Sequence, residues 1–203
     1  MAYSSFTVQQ LTERYALTAR RATFVPVDCP PQAPSDDLAR LIAENQRFPL
    51  YSEKARSEFY VAPLLRELWR LFGGRFAFFS GENLDFSAEE GLDGECDFVL
   101  CAKADAVVVE APVVCILEAK RENFERGRDQ CAAQLVAAHR LNARTEFSPP
   151  MLYGCVTTGT QWQFLRLLNG NLLEIDPAPL FIDDLQRLLG VWVWVLAHYF
   201  APE

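Results

Sequence analysis

The sequence predicts an α/β or α+β fold: a single domain with a central mixed β-sheet flanked by helices. Half of the 203 residues are hydrophobic, which is enough to bury one substantial core. Apolar residues recur at helical spacing in some segments, and short runs rich in Val, Phe, Ile and Cys separate these segments. Helices and short strands in one chain of this length are typical of a sheet covered by helices.

The chain is expected to divide into an N-terminal extension, residues 1–34, and a main domain, residues 35–203. The boundary lies in VDCPPQAPSDD, residues 27–37, where three prolines interrupt regular structure. Ser35 or Asp36 can then cap the helix that follows.

The main domain is predicted to begin with helices and to continue with short strands. Helices are expected at 36–46 and at 53–72, and the second tolerates Pro63 as a kink or as a new first turn. The strands that follow suggest a meander, and they are 75–81, 82–87, 94–102, 106–111 and 113–120. A helix, three strands and a last helix complete the pattern, at 126–144, 151–159, 162–168, 172–176 and from about 181 to 199.

Charge and cysteine content restrict the function classes. The net charge of −8 does not favour binding of polyanions by overall attraction, so contact with nucleic acid would need a local basic patch or a bound metal. The six cysteines show no zinc-site spacing and are expected to be reduced, which predicts a cytoplasmic protein. The apolar segment near the C-terminus is shorter than the roughly 18 residues of a membrane span, so no membrane association is expected.

Three charged side chains are predicted to meet at one end of the sheet. Alternate residues of a strand share a face, so Glu118 and Lys120 point the same way, and Asp97 lies on the preceding predicted strand. Two close carboxylates repel unless a cation neutralises them. Oxygen ligands suit a hard divalent cation, and Mg²⁺ binds one or two carboxylates together with water and phosphate oxygens.

The arrangement of Asp97 followed by Glu118-Ala119-Lys120 resembles the signature of the PD-(D/E)xK, or restriction-endonuclease-like, nuclease superfamily. The proline that often precedes the aspartate is Cys96 in this chain. The resemblance covers roughly residues 50–145. It implies that Asp97, Glu118 and the main-chain carbonyl of Ala119 hold Mg²⁺, for which Mn²⁺ can substitute, and that Lys120 positions and helps to activate the attacking water.

Two helical residues are added to the site by the same resemblance. Glu58, on the predicted helix before the strands, matches a glutamate that often faces the metal. The helix after Lys120 offers Gln130 and Gln134 for a glutamine found in many branches, and Gln134 is preferred. The implied reaction is hydrolysis of a phosphodiester in nucleic acid, with DNA as the expected substrate.

Arg121, Arg126 and Arg128 form the richest basic run of this acidic chain. They are predicted to contact phosphates beside the metal site, and a solvated helix flank is the alternative.

Other interpretations stay open at this point. Glu118 and Lys120 could form an exposed ion pair at a strand end, and Glu95 is more consistent with a turn residue than with an additional ligand. The rival function is a non-catalytic binding or assembly module that keeps the fold and acts through its surface. The sequence also leaves open a homo-oligomer and a separately encoded companion protein.

Overall fold

The computed structural model describes residues 3–120 and 124–201 of the chain. Within these residues eight strands form one mixed sheet in the order β1-β7-β6-β5-β4-β3-β2, with β8 also paired to β6. The strands are β1 Thr18–Arg21, β2 Ala77–Asn83, β3 Glu95–Cys101, β4 Val113–Ala119, β5 Met151–Thr157, β6 Gln161–Leu168, β7 Leu172–Ile175 and β8 Leu180–Phe181. The predicted fold class, a single domain around a central mixed sheet, is confirmed.

Helices cover both faces of this sheet. They are α1 Val8–Tyr15, α2 Asp36–Asn45, α3 Glu53–Arg56, α4 Ala62–Leu71, α5 Phe124–Asn142 and α6 Leu185–Leu196, with a π-helical turn at Ser57–Val61. The core on one face includes buried residues of α2, α4 and α6, and the core on the other face includes residues of α1 and α5. No helix within the described ranges is both long enough and apolar enough to cross a membrane.

The three central strands set the geometry of the site. β3 and β4 are antiparallel neighbours, whereas β4 and β5 are parallel. A parallel pair needs a crossover, and α5 supplies it. All seven residues of β4 are buried, as expected for a strand with helices on both sides.

The predicted helix at 53–72 is divided into α3, the π-helical turn and α4. Pro63 lies in the first turn of α4, directly after the π-helical turn. Because Pro63 has no N–H, the Phe59 carbonyl four residues earlier accepts instead from Asn45 Nδ2, at 2.6 Å. The predicted strand at 106–111 is wrong, because these residues form a loop in which Val107 and Val108 are exposed. The predicted strand at 82–87 is also wrong as a separate element, since β2 ends at Asn83 and a loop follows. The chain after β2 still faces residues 92–94, since the N–H groups of Leu84 and Phe86 donate to the carbonyls of Gly94 and Leu92, each at 2.9 Å.

The N-terminal residues pack into the main domain. β1 pairs in parallel with β7, and Leu11 of α1 is fully buried in the core beneath α5. The buried Asp176 accepts hydrogen bonds from the main-chain N–H groups of Phe24 and Val25, at 2.8 and 2.9 Å. The segment predicted to be an extension therefore completes one edge of the sheet.

The proline-rich segment after β1 crosses α6 at Gly190. A Cβ atom at this helical position would collide with the main-chain oxygen of Pro30. The Sγ atom of Cys29 also contacts the Gly190 carbonyl, at 3.3 Å. The close approach of the two segments therefore depends on the missing side chain.

We expect Gly190→Ala to lower the free energy of unfolding by roughly 1–3 kcal/mol, because the added methyl group must displace main chain. Helix propensity alone predicts the opposite sign, a gain of about 1 kcal/mol. Urea unfolding of the two proteins measures the difference. A variant more stable than the wild type would contradict the packing of residue 30 against α6.

Candidate functional site

The candidate site lies where β4 separates from β3. The last residue pair of β3 and β4 is Phe98 and Leu117, while β4 stays paired with β5 as far as Ala119 and Thr157. Beyond the last β3–β4 pair, the Ala119 N–H donates to the Asp97 carboxylate at 2.7 Å. The Asp97 side chain is thereby held against the end of β4.

Glu118 is the centre of the buried cluster. Its side chain is 0% exposed, and both of its carboxyl oxygens have hydrogen-bond partners. Lys120 Nζ lies 2.5 Å from Oε1, and Gln134 Nε2 donates to Oε2 at 2.9 Å. The Lys120 side chain is 16% exposed, so the cluster reaches solvent along this residue. The structure thus brings together four of the predicted residues, namely Asp97, Glu118, Lys120 and Gln134.

Burial dominates the titration of these groups. It raises the pKa of Glu118 to about 8, with a further rise from the Asp97 carboxyl and opposing effects from Lys120 and Gln134. Burial likewise raises the pKa of Asp97, against the opposing effects of the Ala119 N–H and the Lys120 charge. Burial alone would lower the pKa of Lys120, but the negative charges of Glu118, Asp97 and Glu53 outweigh it and raise this pKa.

The raised pKa values of the two carboxyls and of the lysine have one explanation when the charges of the cluster are counted together. One ammonium can neutralise one carboxylate, and the second carboxylate would then be a buried charge without a counterion. The raised pKa values of Glu118 and Asp97 favour a proton shared within the acid pair, while Lys120 stays protonated. The two carboxyls and the lysine therefore titrate as a coupled set.

The glutamate before the strands that acts on this cluster is Glu53. Its charge contributes to the pKa shifts of both Asp97 and Lys120. Glu58 instead is exposed, lies 3.9 Å from Lys54 and lines a surface groove between α2 and α4. Sequence spacing alone could not separate the two, because the π-helical turn that starts at Ser57 changes the register of the helix.

Gln134 is fixed on the buried face of α5. Gln130 is only partly buried, whereas Gln134 is fully buried and contacts Glu118. Its other amide atom, Oε1, is buried without a hydrogen-bond partner among the described residues. A buried amide oxygen of this kind is suited to accept from a water or a ligand.

Gly127 allows α5 to approach the site, and sequence reasoning did not identify it. A Cβ at this position would lie 2.9 Å from Cγ of Lys120 and 2.6 Å from Cγ1 of Val156. The missing side chain therefore leaves space for the aliphatic part of Lys120. The sequence does show a glycine inside a predicted helix. Such a glycine costs helix stability, so its presence indicates a packing or functional requirement at that position.

Two of the three arginines predicted to contact phosphates lie within the described residues. Arg126 is exposed in the first turn of α5, and Arg128 donates to the side-chain oxygen of Gln163 at 3.3 Å. Both flank Gly127, the residue of α5 that packs against Lys120. Arg121 lies outside the described residues. Glu95, the first residue of β3, is exposed.

The donor set available to a metal is small. Among residues 3–120 and 124–201, no group of three or more His, Cys, Asp or Glu side chains is arranged to hold a metal ion. The carboxyls of Asp97 and Glu118 and a main-chain carbonyl nevertheless match the oxygen preference of Mg²⁺, which commonly completes its coordination with water and substrate oxygens.

Comparison with models of protein families and with curated protein sequences finds no match to this chain. The resemblance to the PD-(D/E)xK superfamily therefore stays a prediction based on the residues described above.

The raised pKa of Glu118 predicts a pH-dependent stability. Because the folded-state pKa of about 8 lies above the ordinary value of 4.5, the folded protein binds more protons than the unfolded chain between these values. The free energy of unfolding should therefore fall as the pH rises from about 5 to about 8, by at most about 1.4 kcal/mol per pH unit from this residue.

Denaturant unfolding of the wild type and of Glu118→Gln across this pH range measures the effect. The variant can still accept a hydrogen bond from Gln134 but does not titrate at this position. The wild type should lose stability relative to the variant as the pH rises. Parallel curves would show that Glu118 titrates alike in the folded and unfolded states.

Proposed function

We propose that this protein is a metal-dependent hydrolase of phosphodiester bonds in nucleic acid, with DNA as the substrate and a site of the PD-(D/E)xK type. The observation that carries the proposal is the fully buried Glu118 carboxyl, which contacts Lys120 and lies beside the partly buried Asp97 at the end of the central strand β4. Such a cluster costs stability, and well-packed apolar residues would avoid that cost. A chemical requirement for these groups explains why they are there.

Asp97, Glu118 and the main-chain carbonyl of Ala119 would hold the divalent cation. The fit is supported by the proton that the cluster retains, because a dication could take the place of that proton and satisfy both carboxylates. A bound Mg²⁺ would supply Lewis-acid polarisation of a phosphoryl oxygen and lower the pKa of a coordinated water. Gln134 would hold one oxygen of Glu118 in place.

Lys120 would act as a hydrogen-bond donor to the reacting groups. Its raised pKa keeps the ammonium form at neutral pH, so it is suited to orient the attacking water and to stabilise negative charge on the phosphate. The ammonium must leave Glu118 to do so. The partly exposed position of Lys120 supports this movement.

Arg126 and Arg128 would attract the phosphates of the substrate from the start of α5, and Arg121 is assigned the same role from the sequence. This attraction would weaken as salt concentration rises. Every group proposed for the reaction belongs to one chain. A homo-oligomer and a separately encoded companion protein stay predictions from the sequence.

One observation favours the alternative of a non-catalytic binding or assembly module. Both oxygens of Glu118 already have partners, and the residue is fully buried. A module of this kind would keep the cluster as a structural ion pair. Measurements of metal binding and of DNA cleavage by matched variants distinguish the hydrolase from the non-catalytic module.

Mg²⁺ binding should release about one proton per ion near pH 7, and the affinity should rise between about pH 6 and pH 8, because the cation replaces the proton of the carboxyl pair. Calorimetric titration in buffers of different ionisation enthalpy measures the release. Asp97→Asn, which can still accept from Ala119, should abolish the heat of binding. Asp105→Asn, in an exposed loop, is the control and should bind as the wild type does. Absence of heat in all three proteins would support the non-catalytic module.

Lys120→Met should lower the rate of DNA cleavage by roughly 10²–10³-fold, because it removes the charge and keeps most of the aliphatic side chain. Single-turnover cleavage of labelled DNA with Mg²⁺ gives this rate. Lys103→Met removes an exposed lysine of the loop between β3 and β4 and should leave the rate unchanged. Equal rates for the wild type and Lys120→Met would refute the assigned role.

A further inference from the structure

The loop between α2 and α3 presents two large aromatic rings to solvent. Phe48 is 60% exposed and Tyr51 is 71% exposed. Leu50, between them, packs against the core, so the loop is anchored by one side chain while the two rings stay outside. Exposed rings of this size are available to stack on a planar partner.

The main chain of this loop is held by short-range hydrogen bonds. The N–H of Phe48 donates to Asn45 at 3.0 Å, and the N–H of Tyr51 donates to Pro49 at 3.1 Å. Arg56 Nε donates to the Leu50 carbonyl at 2.8 Å. A braced loop loses little conformational freedom when a partner binds, which favours its use as a contact surface.

The loop lies next to the candidate site. Tyr51 is two residues from Glu53, whose charge acts on both Asp97 and Lys120. Two residues span at most about 7 Å of extended chain. Arg56 also points toward the carbonyl of Thr158, at 3.4 Å, just beyond the end of β5. The start of α3 and the loop before it therefore lie on the side of the sheet where β4 and β5 end, which is also the side of the cluster formed by Asp97, Glu118 and Lys120.

The charge of the loop suits a polyanion. Residues 47–58, RFPLYSEKARSE, cover the loop, α3 and the two residues after it, and contain three basic and two acidic residues, a local charge of +1 in a chain with a net charge of −8. Of the basic residues, Lys54 lies 3.9 Å from Glu58. Aromatic rings interspersed with basic side chains are the features by which proteins bind single-stranded nucleic acid, with stacking on the bases and attraction to the phosphates.

We propose that Phe48 and Tyr51 stack on unpaired bases, so that the DNA presented to the candidate site is single-stranded or locally unpaired. This inference rests on the proposed function and specifies its substrate. In a duplex the bases are already stacked on one another, and the rings would have nothing to bind. The strand would run from the aromatic loop toward Lys120, with its phosphates near Arg47 and Lys54.

Fluorescence anisotropy with a short labelled single-stranded oligonucleotide and with its duplex tests the proposal. Chelator is present, so that binding is measured without cleavage. The wild type should bind the single strand more tightly than the duplex. Tyr51→Ala and Phe48→Ala should each raise the Kd for the single strand by roughly tenfold, the loss of one stacked base. Tyr51→Phe keeps the ring and should bind nearly as the wild type does.

Phe147→Ala is the matched control. Phe147 is 53% exposed, but it lies in the loop before β5, whereas the cluster lies beyond the other end of β4 and β5. A seven-residue strand places the two ends about 23 Å apart. This variant should bind the single strand with unchanged affinity.

The outcomes distinguish this inference from the proposed function. Equal binding of single strand and duplex, or unchanged affinity in Tyr51→Ala and Phe48→Ala, would overturn the inference even if DNA is cleaved. Loss of a dimer in Tyr51→Ala, seen by light scattering, would also overturn it and assign the loop to a second copy of the chain. Ring-dependent binding by a protein that cleaves no DNA would support the inference and refute the hydrolase.

Discussion

The burial of Glu118 beside Asp97 is the electrostatic constraint on which the arrangement of the site depends. Two carboxyls at the edge of an apolar core cannot both ionise against a single lysine without a large desolvation cost. The neighbouring elements meet this constraint together. β4 carries the lysine two residues after the acid, α5 supplies an amide donor from Gln134, and the Ala119 N–H holds Asp97.

The strand topology explains why these groups meet where they do. β4 is paired on both sides through most of its length, and its C-terminal end is the point where it separates from β3 but not from β5. The crossover helix between the parallel strands must pass over this end, so its first turns lie beside Lys120. The same edge receives α3 and the aromatic loop before it. A fully buried glutamate, a partly buried aspartate and a partly exposed lysine are therefore combined at one place.

Particular residues show which features of the site could be predicted from sequence patterns and which could not. The convergence of Asp97, Glu118 and Lys120 followed from strand alternation and from two adjacent hydrophobic runs. The choice of Gln134 over Gln130 agrees with the contact to Glu118. Glu58 was chosen on the resemblance alone, which does not record that a π-helical turn starts at Ser57, and the structure leaves Glu58 exposed. α1 and β1 were not predicted, and they are only eight and four residues long.

The sequence by itself determined the fold class and the local placement of the acids and the lysine, because the two-residue period of a strand acts over neighbouring residues. Only the tertiary structure decided that β4 is parallel to β5, that the N-terminal residues complete the sheet and that Glu53 acts on the cluster. The raised pKa of Glu118 and the space provided by Gly127 also belong to the tertiary structure. Both arise because desolvation and close packing depend on groups that are distant in sequence, and no local pattern records them.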